Sequence, residues 1–162
     1  MSNIDEILRE TNAAIARSKT GPAKKSSGRI ASDEYYVIGL CNETLGIEGA
    51  QQYKFPFLTG DSGRPLPVDV YYEKLNLVVE YYERQHTEDV KFFNRRMTVS
   101  GVSRGEQRKI YDERRRTELP KHGIKLVVIS YSDFGTSKKL VRNHDADLKV
   151  VKTILERKGV IL

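Results

Sequence analysis

The chain has 162 residues, 38% of them hydrophobic and 31% charged, with a formal net charge of +6 at pH 7. This length predicts a single domain with a substantial core. No apolar run approaches the roughly 20 residues that a bilayer-spanning helix needs, and the acidic start, residues 1–6, lacks the basic region of a signal peptide. We therefore expect a cytoplasmic protein without a membrane partner. The single cysteine, Cys41, excludes an intramolecular disulfide, and its apolar neighbours predict a core position.

The positive charge is concentrated in two clusters. The first falls in a stretch without acidic residues, and the second follows the segment that carries the candidate site. This distribution indicates a polyanionic partner whose phosphates are contacted on two sides of a site. The first cluster comprises Arg17, Lys19, Lys24, Lys25 and Arg29, and the second comprises Arg104, Arg108, Lys109, Arg114, Arg115 and Arg116.

The sequence divides into three parts. Residues 1–18 repeat apolar side chains at helical spacing, which predicts an amphipathic helix. Residues 19–31 are rich in Gly, Ser and Lys and predict a flexible basic linker. Residues 32–162 carry alternating helix and strand patterns and predict an α/β domain. A helix beyond a flexible linker is suited to docking on a partner or on a second copy of the chain, so we expect a homodimer.

Within the domain, the predicted elements follow one another as helix, three strands, helix, strand and helix. The order predicts a mixed sheet with an antiparallel meander followed by a helical crossover. Pro56 predicts an edge position or a bend for the first strand, and the continuous apolar run 124–129 predicts burial on both faces of the last one. The predicted helices are 35–45, 106–119 and 145–158, the predicted strands are 51–58, 66–72, 75–82 and 124–129, and residues 87–105 show no clear pattern.

Two acidic residues stand out in the predicted hairpin. Asp69 and Glu80 each lie near the end of an otherwise apolar strand, where a carboxylate costs several kcal/mol to desolvate unless it is compensated. Carboxylates on adjacent strands can share a hard ion such as Mg²⁺. The alternative is that Asp69 forms a turn and Glu80 pairs with Arg84. Glu43, in the first predicted helix of the domain, is a candidate third carboxylate.

The residues after the hairpin supply further candidates. His86 could act as a general base beside a metal, because the unperturbed pKa of imidazole lies near neutrality, or it could be an ordinary solvated residue. Gln85 could orient a water or bind a phosphate oxygen. Arg108, Asp112 and Arg115 share one helix face. They form either a solvated, salt-bridged face or a guanidinium pair that Asp112 holds toward a phosphodiester.

Together these fragments, between about Phe55 and Ile129, resemble the PD-(D/E)XK nuclease superfamily, in particular the branch of the very-short-patch repair endonucleases. The matching fragments are Pro67-Val68-Asp69, Val78-Val79-Glu80, Gln85-His86, Arg108 to Arg115 and His122-Gly123-Ile124. The resemblance implies a restriction-endonuclease-like core of three layers, with a mixed β-sheet flanked by helices. It also implies that Asp69 and Glu80 hold Mg²⁺, for which Mn²⁺ can substitute.

The resemblance has one departure. The lysine expected two residues after the acid is Tyr82, so its role in activating water is unfilled or passes to Arg84, Gln85 or His86. We predict a Mg²⁺-dependent endonuclease that cuts double-stranded DNA. The alternatives are a catalytically inactive nucleic-acid-binding domain on the same fold and a module that binds an acidic protein. The predicted nucleic-acid contacts are Arg84, Arg104, Arg108, Arg115, Lys24 and Lys25.

Overall fold

The computed structural model describes residues 31–83 and 101–162. Every structural statement below concerns these two ranges. The helix predicted over 1–18 and nearly all of the linker predicted over 19–31 lie outside the described residues, as does the segment 84–100.

A mixed sheet forms the centre of the described domain. Its strands are β1 (Ala50–Thr59), β2 (Pro65–Tyr72), β3 (Leu77–Tyr82) and β4 (Lys125–Ser130), and they lie side by side in that order. β1 to β3 form an antiparallel meander, whereas β4 runs parallel to β3. The predicted α/β class and mixed sheet are therefore confirmed, as is the edge position that Pro56 predicts for β1.

Three helices flank this sheet, namely α1 (Asp33–Leu45), α2 (Arg104–Lys121) and α3 (His144–Arg157). Successive side chains of a strand point to opposite faces, and β3 shows the consequence. Val79 belongs to the apolar cluster that contains α1 and α3 side chains, whereas Val78 belongs to the cluster that contains Leu119 of α2. No helix in the described ranges is both long and apolar enough to span a membrane.

Burial differs between the two parallel strands. Every residue of β3 is buried, because the strand is internal to the sheet and has helices on both faces. The prediction that the run 124–129 is buried on both faces is wrong. In β4 only Val127 and Ile129 are buried, since the strand lies at the sheet edge and its other side chains remain partly accessible.

Two element boundaries differ from the predicted ones. The connection between β2 and β3 is a 3-10 turn, Glu73–Leu75, followed by Asn76 with a φ of 46°, so β3 begins two residues later than predicted. α2 is longer than predicted at both ends. Ser103 caps its start by accepting from the Glu106 amide at 3.2 Å, and Pro120, which lacks an N–H for an intrahelical hydrogen bond, lies in its last turn.

The layer of α1 and α3 is tied together by buried polar contacts. Asp147 is buried and accepts hydrogen bonds from the Tyr36 hydroxyl at 2.7 Å and from the Asn143 amide at 2.9 Å. Cys41 of α1 is fully buried, as predicted, and burial raises the pKa of its thiol to about 12. A thiol with this pKa is a core side chain and not a nucleophile.

Candidate functional site

The hairpin places Asp69 and Glu80 side by side. In the β2–β3 register Val70 lies opposite Val79, and Asp69 and Glu80 are the next residues of the two strands beyond this pair. Asp69 accepts a hydrogen bond from the Tyr81 amide at 2.8 Å, and its carboxylate lies close enough to Glu80 to raise the pKa of that acid. The sequence predicted two acids on adjacent strands but left their register open. The structure brings them into direct contact.

Glu80 is a buried acid with an unusual environment. Only 5% of the residue is exposed to solvent. Burial raises its pKa well above the ordinary value, and the charge of Asp69 and the hydrogen bond to it raise the pKa further, against the lowering effect of Arg115. Among the described residues Oε1 of Glu80 has no hydrogen-bond partner, although Arg115 Nε lies 3.3 Å away.

Arg115 connects α2 to both strands of the hairpin. Its side chain is 13% exposed. Nε and Nη2 donate to the Pro67 carbonyl oxygen at 3.3 and 3.0 Å, and Nη1 donates to Asp112 at 3.1 Å. The guanidinium thus fixes the backbone two residues before Asp69 while it faces Glu80. Asp112 holds Arg115 as predicted, but these contacts lie inside the protein and give Arg115 an internal, positioning role.

No protein-family model, curated protein or solved structure matches the chain. The carboxyl pair, its neighbours and the resemblance of the short sequence fragments are therefore the features that bear on function.

The remaining predicted residues are not gathered around the carboxyl pair. Glu43 lies on α1 and pairs with His144 of α3 at 2.8 Å, in the other helix layer, so the structure does not bring it to Asp69 and Glu80 as a third ligand. On α2, Arg104 is exposed and Arg108 is half-buried. The other predicted residues lie outside the described ranges and stay predictions; they are Arg84, Gln85, His86, Lys24 and Lys25.

Tyr82 occupies the position at which the resemblance leads one to expect lysine. It points to the same sheet face as Glu80, since the two are separated by one residue of β3. It is a buried residue, and burial raises the pKa of its hydroxyl to about 12, with the charges of Asp112 and Glu80 adding to the shift. Near neutral pH this hydroxyl keeps its proton and cannot act as a base.

Two polar residues beside the site escaped the sequence interpretation. Gln52 of β1 falls opposite Asp69, between the register pairs Gln51–Val70 and Tyr53–Val68. Its φ of 53° is unusual for a residue other than glycine. Its side-chain amide donates to Glu34 of α1 at 2.8 Å. The polar Gln51-Gln52 step at the start of an aromatic strand was the available signal.

The donor set suits a hard divalent ion. No group of three or more His, Cys, Asp or Glu side chains within 31–83 and 101–162 is arranged to hold a metal. Two carboxyl groups in contact, with one buried oxygen lacking a hydrogen bond, still fit an ion such as Mg²⁺ that keeps several waters. Binding such an ion at this pair requires Glu80 to lose its proton, so metal affinity here depends on pH.

Replacing Glu80 by glutamine is expected to change how stability depends on pH. Because its folded pKa lies above the unfolded value, Glu80 stabilises the fold fully below the unfolded pKa of about 4.5 and loses that contribution as pH rises toward the folded pKa. Glu80→Gln removes this loss. In urea unfolding across this pH range, the free energy of unfolding of the variant should increase relative to that of the wild type as pH rises. Parallel curves for the two proteins would contradict the raised pKa. Glu73→Gln, at an exposed position, is the control.

Proposed function

We propose that this chain is a divalent-metal-dependent endonuclease that hydrolyses phosphodiester bonds in double-stranded DNA, on a restriction-endonuclease-like core. The observation that carries the proposal is the contact between Asp69 and Glu80 on adjacent strands, with a buried oxygen of Glu80 that has no hydrogen bond in the described ranges. The sequence fragments that resemble the PD-(D/E)XK nucleases support it, because they assign the metal to these same two acids.

The proposal gives each residue a separate task. Asp69 and Glu80 hold Mg²⁺, or Mn²⁺ in its place. The ion, when bound, supplies Lewis acidity toward a water and positive charge against the attacked phosphate. Arg115 keeps the Pro67 segment and the carboxyl pair in register. Gln85 or His86 orients the water or takes its proton, which is the task that Tyr82 cannot perform while its hydroxyl pKa is about 12.

One contact favours a second candidate function, a nucleic-acid-binding domain without catalysis. Arg115 Nε lies 3.3 Å from Glu80 Oε1, so a protein cation already stands beside the carboxyl pair. With a cation in place and a tyrosine at the lysine position, the site could serve structure alone. In that case DNA binding does not require a divalent ion.

Cleavage of supercoiled plasmid distinguishes the two. The endonuclease proposal predicts open-circular or linear DNA with Mg²⁺ or Mn²⁺ and intact plasmid in EDTA. Linear product formed without a nicked intermediate would indicate two sites acting together, as in a homodimer. A protein that shifts DNA on a gel but leaves it intact with both metals would favour the binding domain. Glu73→Gln should behave as wild type in this assay.

A further inference from the structure

The hairpin loop between β1 and β2, residues 60–64, is exposed yet held in place. Residues 61–65 are all exposed. Two hydrogen bonds close the turn, from the Gly60 amide to the Arg64 carbonyl at 2.9 Å and from the Gly63 amide to the Gly60 carbonyl at 3.0 Å. Gly63 has a φ of 79°, which other residues rarely adopt. The loop thus has a defined conformation of its own.

Side chains of α2 hold this loop in place through hydrogen bonds. Arg114 donates to the Asp61 carboxylate at 2.8 Å and to the Thr59 carbonyl at 3.1 Å, and the Tyr111 hydroxyl accepts from the Asp61 amide at 3.0 Å. The fit is close at Gly60, where an added Cβ would lie 3.0 Å from the Tyr111 hydroxyl. The helix that positions the carboxyl pair through Arg115 therefore also positions the loop.

Arg64 differs from Asp61 and Arg114, which form an ion pair with each other. Asp61 is neutralised by Arg114, whereas the Arg64 guanidinium makes no ion pair or hydrogen bond with any side chain or carbonyl in the described part of the chain. Exposed arginines usually gain little from a surface pair. Because the backbone of this loop already has a defined conformation, binding an anion at Arg64 requires ordering of the side chain but not of the loop.

Arg64 lies close to the candidate site along the chain. It lies three residues before Pro67, whose carbonyl Arg115 holds, and five residues before Asp69. Five extended residues span at most about 18 Å. At about 3.4 Å of rise per base pair, this distance corresponds to roughly five base pairs of DNA. A duplex lying on the carboxyl pair would carry backbone phosphates within reach of the loop.

We propose that the loop 60–64 is a DNA-backbone contact in which Arg64 binds a phosphate flanking the cleaved bond. The occupant follows from the proposed function, on which this inference rests. Guanidinium and phosphate match in charge and geometry, and a fork-shaped donor set can bind two phosphate oxygens at once. The contact positions the duplex and carries no base specificity.

The test is the salt dependence of duplex binding in EDTA, measured by fluorescence anisotropy over about 50 to 200 mM salt. Arg64→Ala should lower affinity and reduce the slope of log K against log salt by about 0.9, the value for one lost phosphate contact. Arg64→Lys should restore most of the slope because it keeps the charge. The matched control is Arg157→Ala, an exposed arginine in the last turn of α3, which should leave the slope unchanged.

The outcomes separate this inference from the proposed function. A slope for Arg64→Ala equal to that of Arg157→Ala, or a wild type that does not bind duplex DNA, overturns the loop contact. Metal-dependent plasmid cleavage together with an unchanged slope for Arg64→Ala would support the endonuclease proposal and reject the loop contact. A reduced slope in a protein that cuts no DNA with Mg²⁺ or Mn²⁺ would support the loop contact and reject the endonuclease.

Discussion

Asp69→Asn and Glu80→Gln are each expected to reduce metal-dependent DNA cleavage by at least about 100-fold. Loss of a partner that merely orients a metal ligand costs about 10- to 100-fold, so loss of a ligand itself should cost no less. Both substitutions keep the side-chain shape, and asparagine can still accept from the Tyr81 amide that bonds Asp69 at 2.8 Å. The measurement is the initial rate of plasmid nicking with saturating Mg²⁺.

Duplex binding in EDTA provides the control for these variants. Neither substitution removes a cation that phosphate could contact, and loss of the Asp69 charge lowers repulsion of phosphate, so affinity should stay the same or increase. Glu73→Gln changes an exposed acid in the turn between the same two strands and should keep the wild-type rate. Wild-type nicking by either Asp69→Asn or Glu80→Gln would show that the metal site is assigned wrongly.

Arg115→Ala is expected to destabilise the protein by about 3–5 kcal/mol, the usual cost of removing one partner from a buried ion pair. The substitution leaves the Pro67 carbonyl without its two donors, removes the cation beside Asp112 and leaves Glu80 next to two further acids. The measurement is the free energy of unfolding from urea titration. Arg115→Lys should recover only part of the loss, because an ammonium cannot reproduce the fork of donors.

The neighbouring arginine supplies a matched comparison. Arg116 pairs with Glu113 at 2.9 Å on the surface, where its side chain is 55% exposed. Arg116→Ala should therefore cost no more than about 1 kcal/mol. Equal losses for the two variants would contradict the internal role of Arg115. A phosphate-binding Arg115, as the sequence predicted, would instead lower the salt dependence of DNA binding and leave stability unchanged.

Much of the fold could be predicted because its signals are local. The β-branched and aromatic runs on either side of Glu73-Lys74 predicted the hairpin. Pro56 predicted an edge strand or a bend, since a proline has no N–H to donate to a neighbouring strand. The last strand shows the limit. Its apolar run gave no information about whether a further strand lies beside it, and at the sheet edge the run is only half buried.

The candidate site was harder to predict than the fold, because it depends on contacts between residues that are far apart in the sequence. Asp69 and Glu80 could be selected because acids in apolar strands are costly, but their contact depends on a register that the turn Glu73–Leu75 sets. The role of Arg115 depends on how α2 packs across the sheet, 48 residues along the chain from Pro67. Nothing in a charged helix distinguishes this arginine from its exposed neighbours, so the sequence left open a salt-bridged face or a phosphate contact and could not predict the bonds to Pro67 and Asp112.

The central claim is that Asp69 and Glu80 form one divalent-metal site, and calorimetric titration with Mn²⁺ tests it most directly. The wild type should bind one ion, with an affinity that increases with pH because Glu80 must release its proton. The double variant Asp69→Asn/Glu80→Gln should give no binding heat at this site, while Glu73→Gln should match the wild type. Indistinguishable titrations for the wild type and the double variant would contradict the account.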